Sequence, residues 1–423
     1  CIRDRLTPVR YARMAVSPLA FYRGAALIMA SDLASSGHTG IIAQLCGDAH
    51  LSNFGLFSTP ERHLIFDIND FDETLPGPFE WDVKRLAASF AVAGRHRGFS
   101  AEEERACVVA AAHGYRTAMR RAATSTVLDA WYDRLDAERA RVSIRQAQLD
   151  QLVGDEEVRR LDATIEKARR RDQRKAFKKL VRVVDGRLRI VAAPPLIVPV
   201  EELLREAGRA ADEADVMHQV LGAYRTTLVG ERHPFAEYRY RHMARKVVGV
   251  GSVGTRAWVI LFSGRDDDDP LLLQAKEAQA SVLERFLGPS EFDDHAERVV
   301  RGQRLMQASS DIFLGWQSVI GLDGQHRDFY IRQLQDGKGG IDPETMTVRG
   351  ATLYARICGE TLARAHSRSG DRVQIAGYLG RSETFEEAIA DFAVAYAEQN
   401  DSDFRALQAA LASGRLPSEP GPA

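Results

Sequence analysis

The stretch "QLCGDAHLSNFG" (residues 44–55) places Asp48, His50 and Asn53 within six positions, between apolar flanks. A stretch of this kind is typical of a solvated turn between strands, of a metal site or of a catalytic loop. The stretch "FDINDFDETLPGPFEWD" (residues 66–82) is equally rich in acids. The segments "FGLFS" and "HLIFDI", which connect the two motifs, predict a β-hairpin around the turn "TPER". We expect this hairpin to bring the two acidic stretches together.

The composition is that of an ordinary globular chain. Of its 423 residues, 45 % are hydrophobic and 27 % are charged, and this length predicts about two or three domains or lobes. The formal net charge of −2 gives no electrostatic reason to expect a nucleic acid or a membrane as partner. The four cysteines are scattered and fit neither a metal-binding spacing nor a disulfide framework, so we expect a reducing, cytoplasmic location.

The periodicity of the apolar residues predicts an α+β fold. A mainly helical region, residues 1–240, contains both acidic stretches and a helix with Asp82 as its N-cap. Residues 241–336 predict five strands and a helix, and residues 337–412 predict further helices. We expect residues 413–423 to form a disordered tail.

The sequence "GVGSVG" contains Gly249, Gly251 and Gly254 in a G-x-G-x-x-G pattern, with Ser252 among them. Glycines let a backbone approach phosphate oxygens with its N–H groups pointing inward. A dinucleotide-binding fold requires a helix after this pattern, whereas "TRAWVILF" follows here and predicts a strand. A glycine loop between two strands covers the phosphates in kinases, and we assign these four residues to nucleotide binding. An ordinary tight hairpin is the alternative.

Lys276 ends the apolar run of the next predicted strand, "LLLQAKEA". A kinase requires a strand lysine on the α- and β-phosphates, held by a glutamate from a helix. We predict Glu297, in the following helix, as that partner, with Glu277 and Glu284 as weaker alternatives. A lysine that reaches water from the end of its strand is the structural alternative.

The two acidic stretches supply the hard oxygen ligands that magnesium prefers. Asp48 would orient or deprotonate an acceptor hydroxyl, while Asn53 and Asp70 would hold the metal, helped by Asp72. The structural alternative is that these polar residues cap turns and helices.

A metal hydrolase is the chemical rival of this interpretation. Its zinc, manganese or iron site would combine His50 with four acids, Asp48, Asp67, Asp70 and Asp72. Such a site would explain neither the glycines nor Lys276, and we interpret His50 as a hydrogen-bonded structural histidine.

The motif "CGDAHLSN" resembles the "HGDLHxxN" catalytic loop of aminoglycoside and choline phosphotransferases, members of the protein-kinase-like superfamily. The match covers Gly47, Asp48, His50 and Asn53. Cys46 stands where that family has a histidine, at a position that is largely structural in the family.

The segment "NDFDETLPGPFEWDVKRLA" is similar to the one that the same family writes as "IDFDDAGxGPxxxDLARL". Without a gap, it matches Asp70 to the metal-binding aspartate, Gly77–Pro78 to a turn and Asp82 to a structural aspartate that starts a core helix. This match selects Asp70 over Asp67 as the metal ligand.

The order of the motifs departs from the superfamily, in which the glycine loop and the lysine precede the acidic loop. A circular permutation reconciles the two orders. A protein tolerates such a permutation because termini and breakpoints lie in exposed loops. The sequence "YARICGETLARAHSRSGD" near the C-terminus is similar to the helix that would precede the catalytic loop in the unpermuted order. The resemblance therefore implies a protein-kinase-like two-lobed fold, circularly permuted.

Along nearly its full length, the chain resembles a widespread uncharacterised bacterial family. Phrases such as "SPLAFYRGAA", "FDINDFDET", "GVGSVGTR" and "RGQRLMQ" carry this resemblance. The family implies no settled activity.

The expected function is that of an ATP-dependent phosphotransferase that uses Mg²⁺. A nucleotide-binding pseudokinase, indicated by Cys46, and a nucleotidyl (AMP) transferase are the alternatives. The acceptor, a small molecule or a protein, is not predicted. The basic run at residues 166–182 would attract an acidic or phosphorylated substrate or form a solvated helix face. Arg23, Arg332 and Lys338 are candidates for the lining of the cleft.

Overall fold

The structure is a computed structural model. It describes residues 2–149, 154–170, 173–194, 196–206, 221–230, 232–246, 256–320, 324–334 and 339–417. The glycine loop with Gly249, Gly251, Ser252 and Gly254 lies outside the described residues, as do Lys338 and residues 418–423 of the predicted tail.

The helices are numbered along the described part of the chain. They are α1 (Ile2–Met14), α2 (Pro18–Gly24), α3 (Ala26–Ala34), α4 (Glu80–Arg97), α5 (Ala101–Thr124), α6 (Val127–Tyr132), α7 (Ala137–Leu149), α8 (Asp155–Arg169), α9 (Gln173–Leu180), α10 (Val200–Glu206), α11 (Glu284–Leu287), α12 (His295–Met306), α13 (Val348–Ser369), α14 (Arg372–Leu379) and α15 (Thr384–Ala412).

The strands are numbered in the same way. They are β1 (Ile42–Leu45), β2 (Phe54–Ser58), β3 (Leu64–Ile68), β4 (Leu75–Pro78), β5 (Leu135–Asp136), β6 (Val181–Val184), β7 (Arg187–Ile190), β8 (Ile197–Pro199), β9 (Arg239–Lys246), β10 (Ala257–Ser263), β11 (Pro270–Ala278), β12 (Gly315–Ile320) and β13 (His326–Gln333). The fold is therefore α+β.

Two short strand pairs bring the acidic stretches together. The predicted hairpin is confirmed, because β2 and β3 pair antiparallel with Phe54 opposite Ile68. Strands β1 and β4 also pair antiparallel, with Leu45 opposite Leu75. The loop that follows β1 consequently lies beside the segment that connects β3 to β4. This is the arrangement that the acids at residues 44–55 and 66–82 require in order to act together.

A six-stranded antiparallel sheet has the strand order β12-β13-β11-β10-β9-β8. Strands β10, β11, β12 and β13 are ones predicted in the glycine-rich part of the chain, and β8 is added at the edge. Strand β9 contains the first two residues of the fifth predicted strand, which begins at Arg245 and continues outside the described residues. Both faces are apolar: Val259 and Leu272 belong to a cluster that includes residues of α9, whereas Ile260 and Leu273 belong to a second cluster on the other face. Helix α12 lies between β11 and β12 in the chain and packs on β12 and β13.

Helices α4, α5, α13 and α15 pack together and bury the largest apolar core, which also contains residues of α12 and β13. Helices α5 and α13 approach each other at two glycines. A Cβ atom on Gly114 would lie 2.3 Å from the Arg356 oxygen, and one on Gly359 would lie 2.0 Å from the Ala111 oxygen. Only glycine permits this backbone contact, which fixes α13 against the rest of the helices. Among the described residues, no helix is long and apolar enough to cross a membrane.

Candidate active site

Asp82 holds the loop that follows β1. Its carboxylate accepts hydrogen bonds from the backbone N–H groups of Cys46, at 2.7 Å, and Gly47, at 3.1 Å. The prediction of Asp82 as a helix N-cap is wrong, because α4 begins two residues earlier, at Glu80. Buried backbone donors need partners, and here a side chain from the first turn of a core helix supplies them.

A buried polar chain holds Asp82 in turn. His366 Nε2 lies 3.3 Å from Asp82 Oδ2, and the Tyr115 hydroxyl lies 2.8 Å from His366 Nδ1. Burial raises the pKa of the Tyr115 hydroxyl well above its ordinary value. The three side chains come from α4, α13 and α5, so the loop is tied to three core helices.

Gly47 allows the loop to cross the acidic segment. Its φ of +81° lies in the left-handed region, and a Cβ atom there would lie 2.2 Å from the backbone oxygen of Glu73. The Thr74 hydroxyl donates to the Leu45 oxygen at 2.6 Å and fastens the same crossing. The loop and the acidic segment are therefore in direct contact, at a position that only glycine can occupy.

Arg85 binds the candidate catalytic carboxylate. Its Nε and Nη2 atoms lie 2.7 and 2.6 Å from Asp48 Oδ1. The guanidinium is buried and lies 4.3 Å from the centre of the Tyr22 ring. It also donates to the backbone oxygen of Tyr22 at 2.9 Å. The Asp48 side chain remains 21 % exposed. A fixed guanidinium thus orients a carboxylate that still reaches the surface.

Sequence reasoning missed Arg85. The signal that could have found it is its spacing, because it follows Asp82 by three positions and so lies on the same face of α4.

Asn53 connects the loop to the acidic segment. Its Nδ2 donates to the backbone oxygen of Asp48 at 2.8 Å, and its own backbone oxygen accepts from the Asn69 N–H at 2.8 Å. The predicted metal ligand Asp70 follows Asn69 directly, and its Oδ1 accepts from the Asp72 N–H at 3.3 Å. The structure therefore brings Asp48, Asn53 and Asp70 together.

His50 is buried, and its Nδ1 accepts the Ser52 N–H at 3.2 Å. Burial lowers the pKa of His50 to about 4, with the charge of Arg23 contributing in the same direction and that of Asp48 opposing it. His50 is therefore neutral near pH 7, in agreement with its interpretation as a structural histidine. The predicted cleft residue Arg23, on α2, is thus one of the charges that lower the pKa of His50.

Lys276 reaches this site from the sheet. It is buried on β11, and its ammonium group forms an ion pair with Asp72 Oδ2. Burial alone would lower the pKa of Lys276, but the charges of Asp70 and Asp72 outweigh it and hold that pKa well above its ordinary value. The lysine is therefore charged and faces the acids of the loop region.

The carboxylates predicted as partners of Lys276 have other contacts. Glu297 pairs with Arg301 at 3.1 Å, Glu277 with Arg327 at 3.1 Å, and Glu284 accepts from the Ser281 N–H at 2.9 Å. Within the described ranges, the predicted pair of Lys276 and Glu297 is not formed. The reason is local, because Arg301 lies one helical turn from Glu297 on the same exposed face of α12.

Arg298 is a buried arginine that sequence reasoning missed. It donates to three backbone oxygens, those of Thr74 at 2.6 Å and of Asp72 and Gln279 at 2.8 Å each. Arg332, a predicted cleft residue, donates to the Asn69 oxygen at 3.2 Å. Both arginines therefore bind the backbone of the acidic segment.

The mixed site of a metal hydrolase is not assembled in the part of the chain that the structure describes. There, no three His, Cys, Asp or Glu side chains form a group that could hold a metal ion. Asp67 is buried on β3, where desolvation raises its pKa.

No curated protein and no solved structure matches the chain. A family model matches residues 3–410, nearly the whole chain. The chain therefore belongs to the family described as "Uncharacterized protein conserved in bacteria (DUF2252)".

Proposed function

We propose that the chain is an ATP-dependent phosphotransferase that uses Mg²⁺ on a protein-kinase-like two-lobed fold, circularly permuted. The observation that carries the proposal is the ion pair between Lys276 and Asp72, which are 204 positions apart in the chain. A lysine from the sheet thereby meets the segment that contains Asp70, and this segment lies against the loop that contains Asp48. Phosphoryl transfer requires this combination of a phosphate-binding cation, metal ligands and an acceptor-binding carboxylate.

The contacts of α13 support the permuted order. The Gln44 N–H donates to the Ser369 hydroxyl at 3.3 Å, so the C-terminal end of α13 lies beside β1. The Tyr354 hydroxyl of the same helix donates to the Leu51 oxygen at 2.9 Å. In space, therefore, α13 leads to the strand that precedes the loop, although it follows that loop by about 300 positions in the chain. A permutation accounts for this arrangement, because it changes the connections but not the packing.

The position of the first residue of β10 also supports the proposal. Residues 247–255 connect β9 to β10, and Ala257, the first residue of β10, lies directly opposite Lys276 on β11. A ligand bound by Lys276 would thus lie close to the start of β10, the strand that follows the glycine motif in the sequence. We assign Gly249, Gly251, Ser252 and Gly254 to the phosphates on this basis.

The oxygen atoms at the site fit magnesium, which prefers carboxylate and carbonyl oxygens and keeps several water or phosphate ligands. Asp70 would supply a carboxylate oxygen. The side-chain amide nitrogen of Asn53 donates to the backbone oxygen of Asp48. The side-chain amide oxygen of Asn53 is the atom that would hold the metal. When bound, Mg²⁺ would neutralise charge on the phosphates.

The protein groups then divide the remaining work. Lys276 binds the phosphates of ATP, and Asp48, oriented by Arg85, binds the acceptor hydroxyl or accepts its proton. Electrostatic stabilisation and positioning dominate this chemistry, so a fixed carboxylate and a fixed lysine are what the reaction needs from the protein.

Cys46 does not favour the pseudokinase alternative. The residue is buried, and its backbone N–H, which every residue except proline has, donates to Asp82. This backbone hydrogen bond to Asp82 does not depend on the histidine that the phosphotransferase family has at this position.

The test combines binding and transfer. We expect calorimetry to detect ATP binding that strengthens with Mg²⁺, and Lys276→Met to weaken it by about 10- to 100-fold, the range for loss of a charge-assisted contact. With candidate acceptors or the protein itself, label from γ-labelled ATP should be transferred, and Asp70→Asn should abolish that transfer. Transfer from α-labelled ATP instead would indicate AMP transfer. Absence of ATP binding with and without Mg²⁺ would overturn the proposal.

A further inference from the structure

We propose that Asp72, and not a helix glutamate, positions Lys276, and that α12 acts on the lysine through Arg298. The inference rests on the proposed function, because it concerns the lysine assigned to the phosphates. It also changes the expected role of Asp72 from a metal ligand to a positioning residue.

Both oxygens of the Asp72 carboxylate contact protein donors. Oδ2 forms the ion pair with Lys276, and Oδ1 accepts from the Tyr330 hydroxyl at 2.8 Å. Tyr330 lies directly opposite Lys276 on the neighbouring strand β13. The sheet therefore presents the two donors side by side, at the spacing of adjacent strands, and one carboxylate binds both. This geometry fits a side chain that fixes the lysine better than one that holds a metal.

Arg298 fixes the backbone on either side of this contact. The side chain is buried on α12, and its donors reach the oxygens of Asp72 and Thr74 in the acidic segment and of Gln279, just after β11. Strand β11 carries Lys276. One guanidinium therefore joins the acidic segment, which carries Asp72, to the end of the strand that carries Lys276. Arg298 is thus the link between α12 and both partners of the pair.

A second contact couples the same helix to the acidic segment. A Cβ atom on Gly302 would lie 2.5 Å from the Thr74 hydroxyl oxygen, so α12 packs directly on the segment one turn after Arg298. A shift of α12 must therefore move the backbone of the segment, and with it the carboxylate of Asp72. In this chain, the helix would supply a cation to the acidic segment, and the acidic segment would supply the carboxylate to the lysine.

The inference separates two neighbouring acids by function. Asp70 would act on the metal and Asp72 on the lysine. Removing Asp72 should then weaken ATP binding whether or not Mg²⁺ is present, whereas removing Asp70 should remove only the gain from Mg²⁺.

The experiment is calorimetric titration of the full chain with ATP, once with a chelator and once with Mg²⁺. We expect Asp72→Asn and Arg298→Gln to lower ATP affinity by about 10-fold under both conditions, so that the gain from Mg²⁺ is unchanged. Asp70→Asn should keep the metal-free affinity and lose the gain. The double variant Lys276→Met, Asp72→Asn should bind no more weakly than Lys276→Met alone, because the two residues act as a unit.

Arg301→Gln is the matched control, since Arg301 lies one turn further along α12 and is exposed. It should bind ATP as the wild type does. Thermal unfolding shows whether the buried Arg298→Gln folds; if it does not, Asp72→Asn and the double variant decide the question.

Two results would overturn the inference alone: Asp72→Asn with unchanged affinity, or Asp72→Asn that loses only the gain from Mg²⁺. A wild-type chain that binds no ATP under either condition would overturn the proposed function and this inference together.

Discussion

Replacing Asp82 by Asn perturbs the contact that holds the candidate catalytic loop. The carboxylate accepts the N–H groups of Cys46 and Gly47 at 2.7 and 3.1 Å. An asparagine keeps one acceptor oxygen and places an NH₂ group against the other backbone donor. One charge-assisted hydrogen bond is lost and one buried N–H is left without a partner. We expect the free energy of unfolding to fall by about 2–4 kcal/mol.

Urea unfolding measures this loss, and amide hydrogen exchange shows where it occurs. In Asp82→Asn, the amides of Cys46 and Gly47 should exchange faster than the amides of the helical core. The control is Glu80→Gln, because Glu80 is also buried in the first turn of α4 but binds the Thr39 N–H at 2.6 Å rather than the loop. It should lose similar stability without selective exchange at Cys46 and Gly47. Unchanged stability and exchange in Asp82→Asn would show that the Asp82 carboxylate does not hold the loop.

Three further substitutions test other parts of the site. Gly47→Ala should destabilise the chain by at least about 2 kcal/mol in urea unfolding, because its Cβ atom would lie 2.2 Å from the Glu73 oxygen; wild-type stability would mean that the loop does not cross there. His50→Asn should remove up to about 3 kcal/mol of the pH dependence of stability between pH 7 and pH 4. Since the pKa of His50 is about 4 in the folded chain, below its ordinary 6.5, this stability is present above pH 6.5 and is lost as the pH falls toward 4; identical pH profiles would contradict the shift. Arg85→Lys should reduce ATP turnover by about 10-fold or more while ATP affinity is retained, because a lysine cannot reproduce the two contacts to Asp48; turnover equal to that of the wild type would exclude the orienting role.

The sequence predicted the strands better than the contacts between them. Apolar runs such as that of β10 are strong signals of buried strands, and the hairpin of β2 and β3 is marked by the turn that joins them. Four of the five strands predicted in the glycine-rich region occur among the described residues, and the loop that contains Asp48 does lie against the segment that contains Asp70. The motif spacing was sufficient for this because hairpin pairing is local.

The partners of the charged side chains were not predictable in the same way. Asp82 has the position of a helix N-cap in sequence, but α4 begins two residues earlier, at Glu80, whose side chain is also buried. Arg298 was overlooked because arginines are rarely buried, and only its three backbone acceptors account for its position. The pair of Lys276 and Asp72 depends on how β11 lies against the acidic segment, which no local pattern encodes.

The most direct test of phosphoryl transfer at this site is a crystal structure of the chain with Mg²⁺ and a nonhydrolysable ATP analogue. We expect phosphates in contact with Lys276 and a metal ion bound by oxygens of Asp70 and Asn53, with the glycine loop of residues 247–255 over the phosphates. A nucleotide bound away from Lys276, or a metal held without Asp70, would contradict this expectation.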